Sequence, residues 1–245
     1  MCTIVLASRV WESWPVVVAA NRDEALGRAS EGPSVRVVQG QRVLAPRDLV
    51  AGGTWLGVTA TGLFVGITNR YDPGAMGREF AGSRGTLVEQ ALAAGSAEAA
   101  ADRMAQVDPA GQGPFHLLMA DRDGAFLVWS DLQRLHRTTL GPGIITVTER
   151  SFDAAPTGRE PMLARRLAGI EDGPVPSVET WRSMLSVHDD DPLEGTCVHA
   201  DDRGYGTRSS TLISIPRQGA PAVFHADGPP CTVPYADLSA LANQL

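Results

Sequence analysis

Two β-branched apolar runs, Thr3 to Ala7 and Val16 to Ala20, open the chain, joined by a short polar and aromatic connection containing Ser13 and Pro15. β-Branched side chains pack best on a pleated surface, so the chain begins directly inside a sheet, as an antiparallel pair. Antiparallel partners have position numbers with a constant sum. A turn centred near Glu12 therefore sets Cys2 opposite Arg22, beside the polar run Asn21-Arg22-Asp23-Glu24.

The same signals recur along the chain. Thr54 to Thr59 and Leu63 to Asn69 form a second hairpin turning at Thr61-Gly62, and Phe115 to Ala120 pairs with Ala125 to Trp129 across Asp123-Gly124. Leu135 to Thr148 adds two more strands, and Thr196 to Ala200, Thr207 to Pro216 and Ala222 to His225 close the chain. Helical spacing replaces alternation from Gly85 to Val107, broken at Gly95-Ser96 into two helices, and returns over Pro161 to Leu167 and over Val178 to Val187 behind a Ser177 cap. Strands, helices and strands in that order argue for helices outside two stacked, mostly antiparallel sheets, an α+β fold in one domain over residues 1–245. A hydrophobic content of 43% with 20% charged residues supplies an ordinary globular core.

Several function classes are disfavoured. The net charge of -7 is diffuse, and every basic residue other than histidine is an arginine, so no flexible polybasic tail can track a phosphate backbone and no nucleic-acid partner is expected. The start has no secretory pattern and no stretch approaches the ~20 apolar residues of a membrane span, so a cytoplasmic protein without membrane insertion is expected. Cys2, Cys197 and Cys231 are too few and too widely spaced for a disulfide framework or a structural zinc pattern. Cys197 and His199 share one face of a strand, yet zinc needs three or four ligands and no partner pair stands at ligand spacing. The expectation is therefore a buried thiol beside a polar neighbour, with no metal.

Cys2 carries the chemistry worth testing. Removal of Met1 would leave a thiol and a free α-amine on one residue, and an amine of pKa about 7.7–8.0 is partly unprotonated at neutral pH. Position alone leaves Cys2 as readily a small buried strand residue. The hairpin register adds Asp23, close enough to hold the terminal ammonium, and Arg22, able to orient a carboxylate or lower the thiol pKa, although Asn21 to Glu24 would also suit a solvated turn. Gly52-Gly53 before Trp55 fits a close backbone approach and a plain loop equally well.

Met1-Cys2-Thr3-Ile4 followed by Asn21-Arg22-Asp23-Glu24 resembles the NRDE family, also called the transport and Golgi organisation 2 family. Gly52-Gly53-Thr54-Trp55-Leu56-Gly57, Gly66-Ile67-Thr68-Asn69, Ser83-Arg84-Gly85 and Tyr205-Gly206-Thr207-Arg208-Ser209-Ser210-Thr211 resemble its other blocks in the same order. That family is similar to the N-terminal-cysteine amide hydrolases that include penicillin V acylase and conjugated bile acid hydrolase, which implies a four-layer αββα sandwich of the N-terminal-nucleophile hydrolase type. The resemblance implies roles: Cys2 attacks an amide or thioester carbonyl, its amine shuttles the proton, Asp23 positions the amine, Asn69 donates to the oxyanion and Arg208 completes the polar site. Asn21, Glu24, Thr54 and Trp55 are expected along the substrate. A strand-end turn for Asn69 and a wet edge strand for Arg208 remain alternatives.

Three departures qualify that transfer. Arg22 directly precedes Asp23, whereas the acylases place their arginine three residues earlier. The second asparagine of the acylase site is replaced around Val147-Thr148-Glu149, and His116 stands where relatives tend to show asparagine. Eukaryotic relatives are associated with haem trafficking and lipid homeostasis, so the rival expectation is a non-catalytic carrier of haem or a lipid-like acid. No resident cofactor is expected.

Overall fold

The computed structural model describes residues 2–152 and 158–245. The opening hairpin pairs β1 (Cys2–Trp11) with β2 (Trp14–Ala25) in the expected register, Cys2 facing Arg22 and Ile4 facing Ala20. The register shifts between Ser8 and Trp11, where Arg9 takes φ 52°, the mark of a bulge near the turn.

β3 (Ser30–Val38) and β4 (Gln41–Asp48) come next, and no apolar run announces them. β3 is an edge strand, half-exposed along most of its length, and Pro33 falls within its register shift between Glu31 and Ser34. An edge strand needs neither alternation nor an unbroken ladder, so its sequence reads as loop. β5 (Leu56–Thr59) and β6 (Phe64–Asn69) form the second hairpin, with Gly62 at φ 82°. α1 (Arg84–Leu92) and α2 (Ala97–Met104) divide at Gly95, and the Ser96 hydroxyl accepts the Ala99 N–H as the cap of α2. β7 (Phe115–Ala120), β8 (Ala125–Ser130) and β9 (Leu135–Leu140) extend the sheet to the order β3-β4-β5-β6-β7-β8-β9.

The chain then crosses to the other sheet. β10 (Gly143–Val147) pairs with the outer edge of β1, Val147 facing Ile4. α3 (Arg159–Leu167) and α4 (Val178–Leu185) precede β11 (His199–Ala200), β12 (Tyr205–Ile215), β13 (Ala222–Ala226), β14 (Ala236–Asp237) and the short α5 (Ser239–Ala242). The strand order is β10-β1-β2-β12-β13-β14, with β11 paired to β12.

Alternation divides β1 and β2 between two cores. Ile4, Leu6, Val16, Val18 and Ala20 pack against Val58, Phe64, Leu118 and Leu127 between the sheets. Val5, Ala7, Val17 and Ala19 pack against Leu163, Leu167, Trp181 and Leu185 of α3 and α4. α1 and α2 cover the far sheet through Leu87, Val88, Ala100 and Met104. The layers run αββα, as expected. By the same alternation Cys2, Arg22 and Glu24 belong to the inter-sheet face, and Thr3, Asn21 and Asp23 to the face beneath α3 and α4. Among the described residues no helix is long and apolar enough to cross a membrane.

His116 on β7 is fully buried, its Nε2 2.9 Å from the Ser151 carbonyl and its Nδ1 3.2 Å from the Thr68 hydroxyl. Burial pushes its pKa down from 6.5 to about 4. The unfolded chain then takes up the proton first, so this residue's contribution to stability is complete above pH ~6.5 and drains away as pH falls towards 4. Denaturant unfolding at pH 4.5 should find the protein about 2–3 kcal/mol less stable from this source than at pH 7, and His116→Asn should flatten that part of the profile. An unchanged slope in the variant would remove His116 as the cause.

The fold supplies ligand partners that sequence spacing did not find for Cys197 and His199. His188 and Cys231 join them, and the four candidate ligand atoms all lie within 4.8 Å of one another. The isolated-pair expectation is corrected accordingly: a turn before β14 and a loop after α4 converge there, and only tertiary contact brings such segments together.

Candidate active site

A cleft of about 340 Å³ opens where the ends of β1 and β2 meet the β4–β5 loop, the end of β6 and the N-terminus of α1. That volume suits a small ligand. Cys2, Arg22, Asp23, Glu24, Thr54, Trp55 and Asn69 all line it, so seven of the residues singled out from sequence share one space.

The Cys2 sulfur lies 3.9 Å from the backbone carbonyl of Asp23. Burial pushes the Cys2 thiol up, and Arg22 opposes this only weakly, so the arginine does not by itself make a thiolate. Arg22 is instead held by Asp48 at 3.6 Å and Glu24 at 3.8 Å, with its guanidinium 4.2 Å from the centre of the Trp55 ring. Burial lowers the Arg22 pKa, and its Nη1 is buried without a hydrogen-bond acceptor among the described residues. Arg28 is fastened to Asp48 at 2.7 Å. Against the upward push of burial, the Ala51 and Val50 N–H groups and Arg28 hold the Asp48 carboxyl below its usual range.

Asp23 is anchored from the other side of the strand. Its Oδ1 accepts the Thr207 hydroxyl at 2.7 Å and its Oδ2 pairs with Arg159 Nη1 at 3.2 Å. The same Nη1 donates to the Thr3 hydroxyl at 3.2 Å, which puts the carboxylate beside the residue that follows Cys2. Burial pushes the Asp23 carboxyl up, with Arg159 and Thr207 opposing. Arg159 carries no motif and lies at the start of α3, so sequence reasoning missed it. Asp48, on the cleft wall, carries no motif either, while Arg84, also on that wall, stood within the Ser83-Arg84-Gly85 block without an assigned role.

Gly52 and Gly53 adopt φ 69° and 72°, and a Cβ on Gly53 would sit 2.7 Å from the Gly85 carbonyl carbon. This settles the even choice left by the sequence: Gly53 permits a close approach, and Gly52, with open space around it, supplies a second left-handed backbone position. Thr54 N–H donates to the Gly85 carbonyl at 3.4 Å, locking the loop onto the start of α1, where the Ser83 hydroxyl accepts the Gly85 N–H.

Two expected residues lie elsewhere. Asn21 is absent from the cleft wall and cross-braces the outer face, donating to the Leu185 and Thr196 carbonyls at 2.9 and 2.7 Å while accepting the Ser210 hydroxyl at 2.5 Å. Arg208 falls where the register of β12 shifts between Thr207 and Ser209, and it donates to the Leu26 carbonyl outside the lining. The extra residue of a bulge is re-aimed out of the ladder, which a strand pattern cannot foresee. Val147 ends β10 beside β1, and Glu149, buried, lies in the turn that follows, outside the cleft lining, its carbonyl accepting the Tyr71 N–H at 2.8 Å. That departure from the acylase pattern is thus off the cleft wall.

No match to the chain was found among curated proteins. Solved structures give the fold: the N-acylethanolamine-hydrolyzing acid amidase ortholog of Caenorhabditis elegans is similar at 13% identity and TM-score 0.57, over 87% of this chain and 92% of that one. A variant of conjugated bile acid hydrolase from Clostridium perfringens is similar at 11% identity and TM-score 0.60, over 98% and 93%. At such identities the likeness shows the fold alone, the N-terminal-nucleophile hydrolase type. The family model for Transport and Golgi organisation 2 matches residues 1–226, and the chain belongs to that family.

Proposed function

We propose that the chain is an N-terminal-cysteine hydrolase or acyltransferase that acts on a small amide or thioester through a Cys2 acyl intermediate. The observation that carries this reading is the state of the nucleophiles on the cleft wall. The Thr54 hydroxyl is committed to the Leu56 carbonyl and Ser83 caps α1, whereas the Cys2 sulfur meets only a weak contact at 3.9 Å.

A thiol raised by burial needs a base, and with Met1 removed the α-amine of Cys2 is one. Sulfur attacks the carbonyl carbon as the amine takes the thiol proton. The C–N or C–S bond then breaks and the proton passes to the leaving amine or thiol. Water or an acceptor nucleophile next releases the acyl group and restores the thiol. Asp23, fixed by Arg159 and Thr207, holds the ammonium formed in the first step. Asn69 supplies a donor to the oxyanion, and Arg22 Nη1 offers a buried donor to an anionic or carbonyl group of the substrate.

The test pairs intact-protein mass, which reports whether Met1 is removed, with incubation against a panel of small acyl thioesters and amides. The expected result is an acyl mass increment on the peptide that begins at Cys2. Saturable binding of haem or a fatty acid, with no increment and no turnover, would instead favour a carrier on the same fold.

A further inference from the structure

We propose that His188, Cys197, His199 and Cys231 form a structural zinc site at the rim of the outer layer, outside the lining of the cleft. Cys197 Sγ lies 3.5 Å from Cys231 Sγ and 3.4 Å from His199 Nε2, and His199 Nε2 lies 3.2 Å from Cys231 Sγ. The His188 ring meets the His199 ring edge-on, with centroids 5.0 Å apart. Tetrahedral zinc, with bonds of about 2.3 Å to sulfur and 2.0–2.1 Å to nitrogen, separates its ligand atoms by about 3.4–3.8 Å. The three edges among Cys197, His199 and Cys231 match that range to within a few tenths of an ångström, and His188, whose ligand atom lies within 4.8 Å of the other three, closes the fourth corner by a side-chain rotation.

The backbone is arranged to bring these four side chains together. The Cys197 N–H donates to the Val187 carbonyl at 2.9 Å, which folds the 187–197 loop back and sets His188 next to Cys197. Gly195 makes this closure possible, since a Cβ there would stand 2.6 Å from that same carbonyl oxygen. Cys231 rides a turn closed by the Thr232 and Val233 N–H groups on the Pro229 carbonyl, and Arg182 of α4 clamps the turn through the Pro230 carbonyl at 2.8 Å. Three separate segments thus present two sulfurs and two imidazoles to one point.

Ligand type and count select the metal and its role. A soft, borderline S₂N₂ set suits zinc, and four protein ligands leave no open position, so the ion is structural rather than catalytic. Binding displaces the two thiol protons to solvent, and two thiolates with two neutral imidazoles leave the zinc centre with no net charge. The three cysteines are free, and the Cys197 and Cys231 sulfurs, 3.5 Å apart, are in non-bonded contact. The site also supports the cleft at one remove: the Thr196 and Leu193 carbonyls of its loop accept from Asn21 and Arg159.

Protein purified anaerobically with zinc in the growth medium should contain one zinc per chain by elemental mass spectrometry. Cobalt substitution should give the visible bands of a tetrahedral thiolate site. Cys231→Ser and His188→Ala should each lose at least ~10-fold in zinc affinity, whereas Cys2→Ala should retain the metal. Chelation should lower Tm by about 5 °C or more. Because a variant can fail to fold, the intact protein is also stripped and retitrated with zinc alone. Folded protein that takes up less than a tenth of an equivalent, or an anaerobic sample that carries a Cys197–Cys231 disulfide, would overturn the proposal.

Discussion

Cys2→Ala should reduce acyl release from the best substrate of a thioester and amide panel by at least ~10³-fold, because it removes the atom that forms the covalent bond. The same change should leave unfolding free energy within about 1 kcal/mol, since the residue as a whole is half-buried and its sulfur makes one long contact. The two readouts separate a nucleophile from a core residue: a small packing side chain would move stability and spare turnover. Cys2→Ser sharpens the comparison, as a hydroxyl beside the same amine is a poorer nucleophile and should retain a small residue of activity. Full turnover in Cys2→Ala would end the covalent reading while leaving the fold assignment untouched.

Arg159→Met should be the most destabilising single change in the neighbourhood, at about 3–5 kcal/mol. The Arg159 and Asp23 side chains are 1% and 0% exposed, so withdrawing the guanidinium leaves a carboxylate in a site that already raises its pKa. The loss should shrink as pH falls, because protonating Asp23 relieves the buried charge, whereas a loss from packing alone would not depend on pH. Combining Asp23→Asn with Arg159→Met should cost less than the sum of the two single changes, the signature of a direct pair. Strict additivity in urea unfolding would show that the two residues act separately.

These experiments bear on the departures from the acylase pattern. The Val147-Thr148-Glu149 stretch offers no side-chain amide where the family resemblance implies a second asparagine, so an amide donor is lacking in that stretch. Under the proposed function, oxyanion stabilisation would then fall to Asn69, Arg22 and backbone N–H groups.

The sequence by itself determined the β1–β2 hairpin, its register and the juxtaposition of Cys2 with Arg22, because strand periodicity and the constant sum of paired positions are local rules. It likewise marked the break between α1 and α2 at Gly95-Ser96 and the strand end at Asn69. It did not mark β3, whose edge position demands no apolar pattern, nor β4, whose buried run is only Val43 to Pro46, nor the outward aim of Arg208, which follows from a bulge. Only the tertiary structure decided which cation meets Asp23, which carboxylates hold Arg22, and which side chains join Cys197 and His199. Those partners come from segments distant in sequence, brought together by burial of the apolar faces of sheets and helices, and that driving force is non-directional. It leaves no periodic trace at the polar positions it brings into contact.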